Sequence, residues 1–249
     1  MKTSALGLNK TGLHGAPGDG EALLRDVEAD PSPEARPPGA DDALRGAYFE
    51  DVDPLGSVPP PLTLRGVVKS GTAMLLGGRM QAVMDKLGER LAFERAGVRL
   101  YEAFLRKCRF RPDEAAAITI GTVEHFMHEE AMHLEMLREA IERLGGDPTA
   151  QTPCADVVGM QTLGLAQSVL DPRTTVLQSL HAVLCAELVD GDGWTVLAAL
   201  MKDAGETELA QRFEEAFAAE ERHLSQVRTW YERMSLDEAS LSARAEARP

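Results

Sequence analysis

Residues 121–146 read GTVEHFMHEEAMHLEMLREAIERLGG. Val123, Phe126, Met127, Glu130, His133, Leu134, Leu137 and Ile141 recur at the three- and four-residue spacing of one helix face. The stretch therefore predicts an amphipathic helix running to about Leu144. Gly145 and Gly146, then Asp147 and Pro148, stop it. A carboxylate and an imidazole, Glu130 and His133, sit on the apolar stripe itself. Side chains three apart lie one above the other on a helix, close enough to bind one cation together.

The same arrangement returns downstream. Glu220-Glu-Arg-His223 lies on a stripe of Leu209, Phe213, Ala216, Phe217, Leu224, Val227 and Tyr231, which predicts a helix from about Glu206 to Met234. Each of these helices is preceded by one with a single glutamate on its stripe. From Met80 onward, Leu87, Leu91, Glu94, Val98, Tyr101 and Leu105 advance in steps of four and three. From Val176 to about Lys202, the stripe is Leu180, Val183, Leu184, Glu187, Trp194, Leu197 and Met201. The lone glutamate precedes the paired one by 36 residues in the first case and 33 in the second, and an aromatic, Tyr101 or Trp194, follows it by seven. The halves look like a duplicated helix pair.

In RFRPDE, Pro112 suits the first turn of the second helix. Some thirty residues separate the second and third helices, CADVVGMQTLGLAQSVLDPRTT among them, more than an antiparallel turn needs. That length suits a long crossover that makes helices two and three parallel. The expected architecture is all-α: a four-helix bundle over residues 76–236, an irregular Pro/Gly-rich N-terminal arm over 1–75, and a flexible tail over 237–249.

Composition narrows the function classes. The chain is 44% hydrophobic but only 5% aromatic, which suits long helices, and its net charge of −14 argues against binding a phosphate backbone. Cys108, Cys154 and Cys185 form no CxxC pair, so reduced thiols in a cytoplasmic protein are expected, chiefly as buried core residues. No stretch approaches the ~18 apolar residues of a membrane span. Residues 61–80 carry Arg65, Lys69 and Arg79 without an acid, so the arm is suited to lie along an acidic bundle. LGLNKTGLHG, residues 6–15, is an apolar patch suited to docking a protein partner.

Four carboxylates facing an apolar core would each cost several kcal/mol and repel one another unless protonated or neutralised. Two divalent cations offset four carboxylates, and two neutral imidazoles complete an oxygen and nitrogen ligand set. Such a set suits iron first and manganese second, and admits zinc or cobalt. The candidate metal ligands are Glu94, Glu130, His133, Glu187, Glu220 and His223.

On these residues, roughly 80–235 of the chain resemble the ferritin-like superfamily, whose dinuclear members draw one Glu from each of two helices and Glu-x-x-His from each of the other two. The resemblance implies that Glu130 and Glu220 bridge the metals and that Glu94 and Glu187 are terminal. It also implies pairing of bundles as a homodimer. The chain departs from rubrerythrins in lacking a CxxC-bearing rubredoxin domain, and its arm has no counterpart in compact ferritins, which argues against a storage shell.

Other residues were weighed for the same site. Glu102 lies one position off the first stripe. His125, His128 and Glu129 fall on other faces and are expected in solvent, and His181 is expected as a core or capping histidine. Asp190, one turn from Glu187, is a candidate to receive the second ring N–H of a metal-bound histidine. Tyr101 and Trp194 pack in the core or serve as redox neighbours of the metals. Gly97, Gly191 and Gly193 are expected to leave room beside the metals for oxygen, peroxide or a close helix contact. The resulting expectation is an oxidoreductase of ferroxidase, peroxidase or oxygenase type that reacts with dioxygen or hydrogen peroxide. The alternative is a non-catalytic or stress-associated bundle that sequesters iron or docks a partner through its arm.

Overall fold

The computed structural model describes residues 78–246 together with Gly46, Leu55, Gly56 and Val58. The arm expected over 1–75, its 6–15 motif and nearly all of the basic 61–80 stretch lie outside the described residues. Five helices follow one another: α1 Gly78–Phe110, α2 Ile120–Arg143, α3 Pro153–Leu170, α4 Val176–Asp203 and α5 Thr207–Glu246. Among the described residues there is no strand, and none of the helices is long and apolar enough to cross a membrane.

Four of these are the helices expected from the periodicity, and α4 starts at the expected Val176. Its start is fixed by a capping box: Thr175 Oγ1 accepts from Gln178 N at 3.1 Å, and Gln178 Oε1 accepts from Thr175 N at 2.9 Å. α2 ends as expected, with Gly145 at φ 90° and Gly146 N donating to Ile141 O at 2.8 Å, the closure that satisfies the last carbonyls.

Two boundaries and the crossover differ from the expectation. Pro112 does not open α2; residues 112–117 form turns and α2 begins at Ile120. The turn packs Ala115 and Ile118 into the core, while Glu114 Oε2 accepts from Val176 N at 2.8 Å and so caps α4. At the other end α5 runs on to Glu246, past Met234. The crossover is itself a helix. Thr152 caps α3, Pro153 fills its first turn, Asp156 stands in that turn, and the helix stops at Asp171 before Pro172.

α3 explains how α2 and α4 come to run the same way. Asp85 on α1 meets Cys154 at the start of α3, and Lys107 meets the Asp171 carbonyl at its end, so α1 and α3 are parallel. Arg109–Glu124 near one end and Gly146 against Met84 near the other make α1 and α2 antiparallel. Lys107–Ser179 and Arg90–Asp190 make α1 and α4 antiparallel. α3 thus carries the chain back along α1 before α4 descends beside it. The parallel pair that the crossover length implied is present.

The core is divided in two. One apolar cluster gathers Phe104, Leu105, Val123, Phe126, Leu180, Val183, Val227 and Trp230. The other gathers Leu87, Leu91, Leu137, Ile141, Trp194, Met201, Leu209 and Phe213. On α2, α4 and α5 the buried polar residues between the two sets are Glu130 and His133, Glu187 and Asp190, and Glu220 and His223, each 8% exposed or less.

Candidate metal centre

All six candidate ligands are brought together inside the bundle. Glu94 and His223 are 0% exposed, Glu130 and Glu220 1%, Glu187 2% and His133 8%. Ligand atoms of Glu130, Glu187, Glu220 and His223 lie within 4.8 Å of one another, as do those of Glu94, His133 and Glu220. Glu220 belongs to both groups. Its Oε1 lies 2.7 Å from His133 Nδ1 and its Oε2 2.9 Å from His223 Nδ1. Glu130 Oε1 lies 3.5 Å from the same His223 nitrogen.

Short as these approaches are, they are ion-pair contacts without the alignment of hydrogen bonds. Glu94 Oε2, both oxygens of Glu130, Glu187 Oε2, both oxygens of Glu220 and the Nδ1 atoms of His133 and His223 are buried without a hydrogen-bond partner. Buried polar atoms are almost always paired, and one left alone costs about 1–3 kcal/mol. Eight such atoms turned toward a common space, all from six residues able to coordinate, fit cations placed among them.

The remaining oxygens are anchored. Glu94 Oε1 accepts from Arg90 Nε at 2.6 Å, and the Tyr101 hydroxyl donates to Glu187 Oε1. Arg90 is 4% exposed and also reaches Asp190, with Nη2 2.6 Å from Oδ1 and Nη1 3.0 Å from the carbonyl. Asp190, expected against a histidine, is thus held by a guanidinium. Its carboxylate still lies within 4.8 Å of ligand atoms on Glu94, Glu130 and Glu220. Trp194 packs edge-on against the His133 ring at 5.3 Å, and its indole N–H has no partner.

Glu129 corrects the sequence reading. His125 and His128 are exposed as expected, but Glu129 turns inward and its Oε2 lies 2.8 Å from His223 Nε2. A carboxylate on Nε2 fixes that nitrogen as the protonated one and leaves Nδ1 aimed at the cluster. Among the weighed alternatives, Glu102 is exposed and paired with Arg106, and His181 is exposed against the Tyr231 ring, neither core nor cap. Cys108 is buried, Cys154 and Cys185 partly so, and all three are free thiols. Arg90 had a signal in the sequence, a basic residue one turn before a stripe glutamate. Glu129 had none, since one position along a helix turns a side chain to another face.

The glycines fit the close helix contact among the uses expected for them. A methyl group at Gly97 would overlap Glu130 Oε2, and one at Gly193 would overlap Arg90 Nη1. One at Gly191 would press on the Phe217 ring at 3.2 Å.

Electrostatics follow from burial and crowding. Burial, reinforced by neighbouring carboxylates, raises Glu94, Glu130 and Glu187 well above the ordinary carboxylate range. Burial also lifts Asp190, though Arg90 limits the rise to about 6. Burial would raise Glu220 too, but His133 and His223 hold it down at about 2. Burial alone would lower His223, and Glu220 instead lifts it to about 9. Five buried carboxylates, Glu94, Glu130, Glu187, Asp190 and Glu220, against one buried guanidinium leave four negative charges when all are ionised. Two divalent ions cancel them.

Compared with family models, curated proteins and solved structures, the chain finds no match. What the fold and site define is a helical bundle with a buried glutamate and histidine cluster that can hold metal.

Proposed function

We propose that the chain is a ferritin-like dinuclear metal protein, an oxidoreductase that holds iron, or manganese in its place, and reacts with dioxygen or hydrogen peroxide. The observation that carries this reading is the convergence of orphaned ligand atoms from Glu94, Glu130, His133, Glu187, Glu220 and His223. Oxygen and nitrogen donors without a thiolate support iron or manganese over softer ions. When bound, such metals supply electrons and polarise a bound oxygen molecule.

The chain's own residues do the rest. Both oxygens of Glu130 and of Glu220 are uncommitted, which supports a bridging role for each. Glu94 and Glu187 each have one oxygen tied by Arg90 or Tyr101 and one free, which supports a terminal role. Glu129 holds His223 in the tautomer that ligation requires. The two apolar clusters above and below exclude water from the layer. His133 is the least buried of the six, which supports approach of a small oxidant from its side.

Anaerobic loading with ferrous iron, followed by air, tests the reading. Two irons per chain, a new near-ultraviolet band and oxidation faster than in protein-free buffer are expected. Uptake without acceleration would leave a metal-holding bundle without turnover, and no uptake would overturn the metal reading as well.

A further inference from the structure

A crevice of ≈ 240 Å³ opens between α1, α3 and α4, and Arg90, which also donates to Glu94, is part of its lining. Its walls are Phe93, Val158, Val189, Val196 and Leu197, and Arg90 contributes to its lining beside Gly193. Most of the lining is apolar, and Lys86, Glu89, Gln161 and Asp192 supply the polar groups. α3, the helix that fills the crossover, supplies Val158 and Gln161 and so closes the third wall.

We propose that this crevice binds a small, largely apolar molecule carrying one neutral carbonyl oxygen, which accepts a hydrogen bond from Arg90 Nη1. Three observations carry it. The first is donor arithmetic. A guanidinium has five N–H groups. Nη1 gives one of its two to the Asp190 carbonyl, while Nε and Nη2 serve Glu94 and Asp190. Nη1 keeps a second N–H. The second is the absence of a side chain at Gly193. A methyl there would overlap Nη1, so the glycine lets that nitrogen lie against the α4 backbone, and both residues line the crevice. Glycine in a helix interior costs about 1 kcal/mol relative to alanine, and here it gives the guanidinium its place at the crevice wall.

The third is charge. Arg90 is already flanked by Glu94 and Asp190, each at 2.6 Å. Lys86 at the crevice is paired with Glu89 at 2.5 Å, and Asp192 adds another negative group. An incoming carboxylate would meet charges that are balanced or in negative excess, whereas a neutral carbonyl pays no such repulsion. The crevice is smaller than the about 300–1,000 Å³ of drug-sized sites, so its occupant is small. A bound carbonyl would share one guanidinium with Glu94 and Asp190. The proposal does not rest on the metal reading, because Arg90 has these partners in the chain alone.

The test is a titration of the full-length protein, as purified and with its metal content measured, with cyclopentanone, cyclopentane and cyclopentanecarboxylate. Binding is read from the NMR methyl signals of Val189, Val196 and Leu197. Cyclopentanone is expected to shift these signals saturably and to bind about tenfold more tightly than cyclopentane, the contribution of one hydrogen bond from a charged donor. Cyclopentanecarboxylate should bind more weakly than the ketone. Val196→Trp, at a half-exposed position on the crevice wall, should abolish the shift while leaving helix content unchanged. Gln161→Phe, from the opposite wall, should do the same if the first variant folds poorly. No saturable shift with cyclopentanone, tighter binding of the carboxylate, or ketone binding undisturbed in a folded filled variant would overturn the proposal.

Discussion

Glu130→Gln and Glu220→Gln each replace one carboxyl of the same layer by an amide, yet the structure assigns them unequal consequences for the metal-free protein. Glu220 is the carboxylate held at about 2 by two imidazoles, against an ordinary 4.5. At 1.36 kcal/mol for each tenfold in acidity, that difference is worth about 3 kcal/mol near neutral pH. Its sign is that of a depressed acid: the contribution is present above the ordinary value and lost as pH falls toward 2. Glu220→Gln should therefore lower the metal-free melting temperature by roughly 6–12 °C, at about 2–4 °C per kcal/mol for a chain of this size. Glu130 holds its proton in the empty site because burial raises it, so replacing its neutral acid by an amide should shift the metal-free melting point little. Metal brings out the cost of the Glu130 change as well. Two ions at one hundred times their dissociation constants add about 2.7 kcal/mol each to wild type. Glu130→Gln should forfeit most of that gain. Differential scanning calorimetry with and without ferrous or manganous ion reads both effects. A Glu130→Gln protein that keeps the wild-type metal gain would refute the argument, and so would a metal-free Glu220→Gln protein that melts with wild type.

Further outcomes follow from the same layer. In metal-free protein the raised carboxyls of Glu94, Glu130, Glu187 and Asp190 bind more protons than the unfolded chain above the ordinary carboxylate range, and His223 does so up to about 9. Its melting temperature should therefore fall as pH rises from about 5 to 8, and metal uptake should release protons measurable in weak buffer. A metal-free melting point that climbs over this range would contradict the assignment. Gly97→Ala, which would ordinarily strengthen a helix, should displace the Glu130 carboxylate and cut metal content below half of wild type by elemental analysis. Glu129→Ala should weaken metal binding about 10–100-fold in a competition titration with a coloured chelator, leaving helicity by circular dichroism unchanged.

The stripe residues were legible because burial and periodicity coincide: Glu94, Glu130, His133, Glu187, Glu220 and His223 each occupy a position where an apolar residue would ordinarily sit, and each is buried. α3 was not legible. Its 18 residues carry a single charge, Asp156, so no polar face contrasts with an apolar one, and it leaves Met160, Leu163 and Leu170 exposed. Without that contrast, periodicity has nothing to report. Glu129 was hidden for another reason, and Arg90 was signalled only by its place one turn before Glu94. What brings them inward is a partner on a different helix, Asp190 for one and His223 for the other, and such meetings are set by packing rather than by local pattern.

The carboxylate layer between two greasy halves also acts as an alignment key. Sliding α1, α2, α4 or α5 by a single turn, about 5.4 Å, would strand a glutamate among leucines and phenylalanines and leave the opposing groups facing hydrocarbon. Interchangeable apolar contacts tolerate such slips, but this layer penalises every register except one. Correct assembly and completion of the ligand cage are thereby the same event.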